Sequence, residues 1–120
     1  MDQEHLVSNP ESWRVVVFTN VPGGVAYTQL DELLRRLGHT IVGVVTTLGS
    51  KRRRSRAYLD VVAAVPSGVD IIVSTHPERW AAMLAPLHPD LIICRSFPWR
   101  IPPEVLVLPR LGAINGHPGL

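Results

Sequence analysis

Val15-Val16-Val17-Phe18, running through Thr19 into the loop Asn20-Val21-Pro22-Gly23-Gly24, is the stretch from which the fold is read. Four consecutive apolar, mostly β-branched residues make the kind of run that a parallel strand shows when both of its faces are covered. Two glycines follow, and then Val25, Leu30, Leu33, Leu34 and Leu37 recur at near-helical spacing. Gly38 stands where a helix commonly stops in a left-handed C′ residue. A short buried strand, a tight turn and an amphipathic helix together make the first half of a βαβ unit.

Outward from this unit the pattern repeats. His39 to Thr46 reads as a second strand through Ile41-Val42-Gly43-Val44-Val45, and Leu48 to Arg56 as a basic loop with Gly and Ser. A helix from about Ala57 to Val65 is closed by Pro66-Ser67-Gly68, and Val69-Asp70-Ile71-Ile72-Val73 is the third strand. Pro77 suits the first turn of a helix reaching about Leu87, with Trp80, Met83, Leu84 and Leu87 on its apolar side. Asp90-Leu91-Ile92-Ile93-Cys94 is the fourth strand, Pro103 to Leu106 a short helix or turn, and Gly112-Ala113-Ile114 a short fifth strand. The alternation predicts an α/β protein: a Rossmann-like, doubly wound, mainly parallel sheet over residues 13–120, preceded by a loose tail of residues 1–12. A chain of 120 residues is one domain. Ending directly after a short strand leaves the sheet incomplete on its C-terminal side, with faces open to self-association.

Composition narrows the classes further. Apolar residues make up 46% of the chain, too many for disorder. The longest apolar runs are about five residues, against roughly 20 for a membrane-spanning helix. Met1 to Trp13 lacks an apolar signal-peptide core, and the single cysteine, Cys94, excludes an internal disulfide. A cytoplasmic location with no membrane contact is the expectation. The formal charge of +2 is uneven: Lys51, Arg52, Arg53, Arg54 and Arg56 hold five of the twelve basic residues, leaving seven basic against ten acidic, a net of −3 elsewhere. The basicity is therefore one local patch.

In sheets of this kind ligands sit beyond the carboxyl ends of the strands. The glycine loop, the basic loop, the corner Arg95–Pro102 and the terminal stretch Asn115-Gly116-His117-Pro118-Gly119-Leu120 all leave the sheet on that side. The loop Asn20–Gly24 offers backbone N–H groups to an anion but lacks G-x-G-x-x-G spacing, so a tight βα turn is the better reading. Lys51, Arg52, Arg53 and Arg54 suit phosphate or RNA contact in a salt-dependent manner, or a solvated loop; the lack of interleaved aromatics argues against single-strand stacking. Cys94 reads as an inert core thiol, and His76, His88 and His39 as surface, capping or strand-opening residues without metal-ligand spacing. Phe97 and Trp99, flanking Pro98, either wall a pocket for a flat heterocycle or close the core beneath the loop. Asn115 and His117, two apart in extended backbone, project from the same face. An amide and an imidazole aimed at one atom can donate to an oxyanion and move a proton, while the alternative is a turn in which Asn, Gly and Pro do backbone work.

Asp90-Leu91-Ile92-Ile93, then Ile101-Pro102-Pro103-Glu104-Val105-Leu106, then Leu108-Pro109-Arg110-Leu111-Gly112-Ala113-Ile114-Asn115-Gly116-His117-Pro118, resembles the folate-dependent formyltransferases. The resemblance covers about residues 13–120 and looks most like the methionyl-tRNA branch, through the strand order and the basic loop after the second strand. It implies 10-formyltetrahydrofolate as formyl donor, and an amine-bearing small molecule or an aminoacyl-tRNA as acceptor. It also implies that Asn115 donates to the oxyanion and that His117 polarises the formyl group and takes the amine's proton. Phe97, Pro98, Trp99, Arg100 and Ile101 would correspond to the loop that walls the pteridine pocket. Two residues depart from the family's pattern: Pro98 replaces a glycine, and Arg100 stands where an aliphatic residue is usual. The family's catalytic aspartate lies some tens of residues further on, so the expectation is an N-terminal portion that is inactive alone. The competing reading is a non-catalytic Rossmann-like module that binds a ligand or partner.

Overall fold

The computed structural model describes residues 11–50 and 52–116. Five strands, β1 (Arg14–Thr19), β2 (Thr40–Thr46), β3 (Asp70–Val73), β4 (Leu91–Arg95) and β5 (Ala113–Gly116), alternate with helices α1 (Val25–Arg36), α2 (Ala57–Ala64), α3 (Trp80–Leu84) and α4 (Pro103–Leu106). The sheet runs β3-β2-β1-β4-β5, and every neighbouring pair is parallel. The order reverses between β1 and β4, which opens a crevice beyond their carboxyl ends.

The first strand explains the three-layer build, with helices on both faces of the sheet. Val15 and Val17 face one core with Tyr27, Leu34, Val61 and Val65 of the α1–α2 side. Val16 and Phe18 face the other, with Trp80, Leu84 and Val105 of α3 and α4. All four β1 residues are fully buried, so a run apolar on both faces is what the position demands. Between β1 and β2 the register slips by one: Val15 is opposite Ile41, and Val16 opposite Gly43.

Helix α1 stops as its sequence indicates. The Gly38 N–H donates to Arg35 O at 3.0 Å and the His39 N–H to Leu34 O at 2.8 Å, the paired bonds of a Schellman ending. The buried stripe is narrower than the spacing suggests, because Val25, Leu33 and Leu37 are exposed. The expected continuous helix from Pro77 to Leu87 is instead three pieces: 3₁₀ turns at Pro77–Arg79 and Ala85–Leu87 flank α3. Pro86 cannot donate to the helical ladder, and the chain tightens and ends there. Trp80 and Leu84 are fully buried as expected, whereas Met83 is exposed.

Trp80, Phe18 and Phe97 form an aromatic cluster, with edge-on ring pairs at 5.6, 5.2 and 5.6 Å between centroids. Such pairs add about 0.5–1.5 kcal/mol each beyond the area they bury. The amino end of the sheet is tied separately. Asp90 accepts the Arg14 N–H on Oδ2 and Arg110 Nε on Oδ1, each at 2.8 Å. These bonds hold its carboxyl below the usual carboxylate range, the Arg14 N–H contributing most. On the other flank β5 is sparsely covered: Ala113, Ile114 and Asn115 are exposed.

Candidate functional site

The carboxyl ends of β1, β2 and β4 meet at a cavity of about 670 Å³, lined among others by Asn20, Ser50, Arg53, Arg54, Ser96 and Pro98. A second cavity, of about 390 Å³, lies between β4 and β5 and is lined by Phe97, Trp99, Arg100, Ile101, Leu106 and Asn115, together with Cys94, Ala113 and Ile114. The structure thus gathers Phe97, Trp99, Arg100, Ile101 and Asn115 around one space, while Pro98 faces the neighbouring one. His117 and Lys51 lie outside the described residues. Asn115 is paired in register with Cys94, so both side chains take the face that carries the cavity.

The corner is built by a sharp turn. Ser96 has φ +53, a left-handed conformation uncommon outside glycine. Phe97 then turns inward, 8% exposed, and Pro98 outward. The two readings of the aromatic pair divide between the residues. Phe97 closes the core against Phe18 and Trp80, and Trp99 stays half-buried as a cavity wall. Arg100 is exposed, so its charge stays in solvent. Burial pushes the Cys94 thiol up, consistent with an inert core thiol.

The glycine loop does not present its N–H groups freely. Gly23 N–H donates to Asp60 Oδ2 at 2.9 Å, so a carboxylate of α2 occupies the position an anion would take. Gly24 lets α2 approach: a Cβ there would lie 2.6 Å from Ala64 Cβ. The tight-turn reading holds, with a packing reason behind it.

The basic segment is a small hairpin. Gly49 and Arg54 form an antiparallel bridge, and the Ser55 N–H donates to Leu48 O at 2.7 Å. Arg53 N–H donates to Ser50 Oγ at 3.0 Å. Gly49 has φ +114, and a Cβ there would come within 2.5 Å of Arg53 O, so no other residue fits. Arg52, Arg53 and Arg54 stand exposed on this frame. Trp99 Nε1 donates to Gly49 O at 2.6 Å, joining the hairpin to the corner.

Two roles were not legible as sites in the sequence. Asn20 clamps the ends of β1 and β2: its Nδ2 donates to Thr47 O at 2.7 Å, and its Oδ1 accepts Thr46 Oγ1 at 3.0 Å and Thr47 N–H at 3.1 Å. The polar pair Thr46-Thr47 after an apolar strand was the only signal. His39 does more than open a strand: its ring stacks on Trp13 at 4.2 Å, and Nδ1 accepts the Trp13 N–H at 3.0 Å. His76 is exposed, its Nδ1 3.5 Å from Glu78 Oε2. Among the described residues no cluster of three His, Cys, Asp or Glu side chains is placed to hold a metal, and no helix is long and apolar enough to cross a membrane.

An open parallel α/β sheet, with polar and aromatic loops gathered beyond its strand ends at the reversal of strand order, defines a Rossmann-like domain. No family model matches the chain. Over 98 residues it is 37% identical to the methionyl-tRNA formyltransferase of Synechococcus sp. (strain RCC307), a match covering 74% of this chain and 29% of that protein. The fold is similar to that of the crystal structure of glycinamide ribonucleotide transformylase 1 from Symbiobacterium toebii, with a TM-score of 0.60 over 87% of this chain and 50% of that one. At 15% identity the second likeness concerns the fold alone. This chain carries a domain of the formyltransferase family. It spans less than a third of the length of the curated relative.

Proposed function

We propose that residues 13–120 form the N-terminal part of a formyltransferase domain, serving transfer of a formyl group from 10-formyltetrahydrofolate to a substrate amine. The carrying observation is that Phe97, Trp99, Arg100, Ile101 and Asn115 share one cavity. Its aromatic and aliphatic wall suits a flat heterocycle, and an amide at its rim suits a carbonyl oxygen. The donor supplies an activated formyl carbon. Asn115 Nδ2 donates to the formyl oxygen as charge develops on it; His117 accepts the proton released when the amine bonds to that carbon and returns it to the donor's N10 as the carbon–N10 bond breaks and tetrahydrofolate leaves. Turnover is expected of the chain together with the further length its relatives carry; the 120 residues themselves are expected to bind the donor.

The acceptor proposed is an aminoacyl-tRNA, contacted by the basic residues Lys51, Arg52, Arg53 and Arg54. The name of the curated relative and the exposure of three of these cations support it. A cytoplasmic location belongs to the same proposal. Calorimetric titration with 5-formyltetrahydrofolate, beside Asn115→Ala and His117→Ala, tests the donor reading. Saturable binding weakened by Asn115→Ala is expected. No binding by folded protein would overturn the donor reading and leave a non-catalytic module.

A further inference from the structure

We propose that the Trp99 indole is a latch coupling the basic hairpin to the cavity at Asn115, so that a nucleic-acid polyanion held by Arg52–Arg54 alters donor occupancy there. The proposal rests on the RNA-contact reading above. Trp99 lines the Asn115 cavity and also a separate cavity of about 400 Å³ formed with Gly49, Ser50, Arg52, Arg53 and Arg54. One ring is therefore the wall between the two. Its Nε1–H reaches Gly49 O at 2.6 Å across 50 residues of sequence.

Both ends of the latch are stiff. Gly49 is fixed by its bridge to Arg54 and by a backbone conformation that excludes any side chain. Trp99 leans on the ring of Trp80, 6.4 Å between centroids, and Trp80 is fully buried against Phe18 and Phe97. A hairpin displaced by a bound polyanion thus pulls on a side chain anchored in the core, and the shift falls on the cavity wall. Two stiff bodies joined through a side chain anchored in the core are the kind of contiguous connection that carries coupling. Linkage makes the effect reciprocal: donor binding must alter polyanion affinity by the same factor. Only tryptophan supplies an aromatic wall with an N–H at this reach, and phenylalanine keeps the wall alone.

Hydrogen exchange read by mass spectrometry tests this in Trp99→Phe beside the unaltered chain. Without ligand, the Arg53 and Ser55 amides are expected to exchange about 2- to 12-fold faster in Trp99→Phe, the equivalent of one net hydrogen bond. Unchanged exchange would overturn the latch. A second variant, Ser50→Ala, removes the hydroxyl that accepts the Arg53 N–H while leaving every corner residue and the Trp99 indole unaltered, and should quicken exchange at Trp99–Ile101; an unmoved corner would again overturn the latch. Unacylated transfer RNA should slow exchange in the hairpin and corner of the unaltered chain, but only in the hairpin of Trp99→Phe. Equal slowing of the corner in both proteins would overturn coupling through Trp99. Slowing nowhere would overturn the polyanion coupling together with the RNA-contact reading, while the two ligand-free comparisons still decide whether the latch exists.

Discussion

Asn115 sits on an exposed strand at the rim of an apolar cavity, where its amide has no structural duty comparable to that of Asn20. Substitution at the two asparagines should therefore separate. Asn115→Ala should leave the melting temperature nearly unchanged and weaken 5-formyltetrahydrofolate binding by about 2- to 12-fold, the effect of one hydrogen bond. If the same amide stabilises the developing oxyanion, the loss in kcat of the full-length enzyme should be far larger, about 10²–10³-fold. Asn20→Ala, which strips three hydrogen bonds between β1 and β2, should instead appear as destabilisation in thermal melts. Asn115 and His117 drew notice because they stand two apart beside a strand, and the resemblance to the formyltransferases supplied the roles proposed for them. The clamp at Asn20 was not legible, because its partners come from the end of another strand and only the polar pair Thr46-Thr47 hinted at them. A last residue-scale expectation concerns Cys94: with its thiol pushed up by burial, iodoacetamide at pH 8 should label it much more slowly than an exposed cysteine, with urea restoring the rate.

At the scale of elements, the strands and helices followed from pattern, and the departures have local causes. Pro86 broke a helix whose apolar spacing continued past it, and hydrogen bonds between Ser50 and Arg53 folded a run that reads as solvated loop from charge alone. The hairpin makes its own prediction. Neutralising Arg52, Arg53 and Arg54 together should lower the slope of log affinity for transfer RNA against log salt by about 0.7–0.9 for each phosphate these arginines neutralise. An unchanged slope would place the RNA-binding surface elsewhere. The start of β4 makes a second. Asp90 is held below its ordinary value of 3.8, so its stabilising effect is present above that value and is lost as pH falls through the lower folded-state value. Melting curves between neutral pH and pH 2 should therefore fall steeply below pH 4 in the unaltered chain and less so in Asp90→Asn.

For the molecule as a whole, the arrangement of the sheet was legible and the state of its flank only partly so. Alternation fixes a parallel order, but which surfaces remain open depends on packing that no periodicity encodes. Ile114, Leu111 and Leu106 on or next to β5 are 57%, 42% and 40% exposed, and a strand at the edge of the described sheet with apolar neighbours invites pairing. Sedimentation velocity should show concentration-dependent association of the purified chain, diminished by Ile114→Lys. A strictly monomeric chain at high concentration would rule that flank out as a self-association surface.

The order of the strands also governs how the chain comes to be folded. The central strand is made first, yet its pairing with β4 joins Arg14 to Asp90, 76 residues later. Until that length has been synthesised, Val15-Val16-Val17-Phe18 has one of its two flanking strands missing. A nascent chain of this topology therefore carries its most aggregation-prone run bare for longest, which favours slow folding and dependence on chaperones during translation.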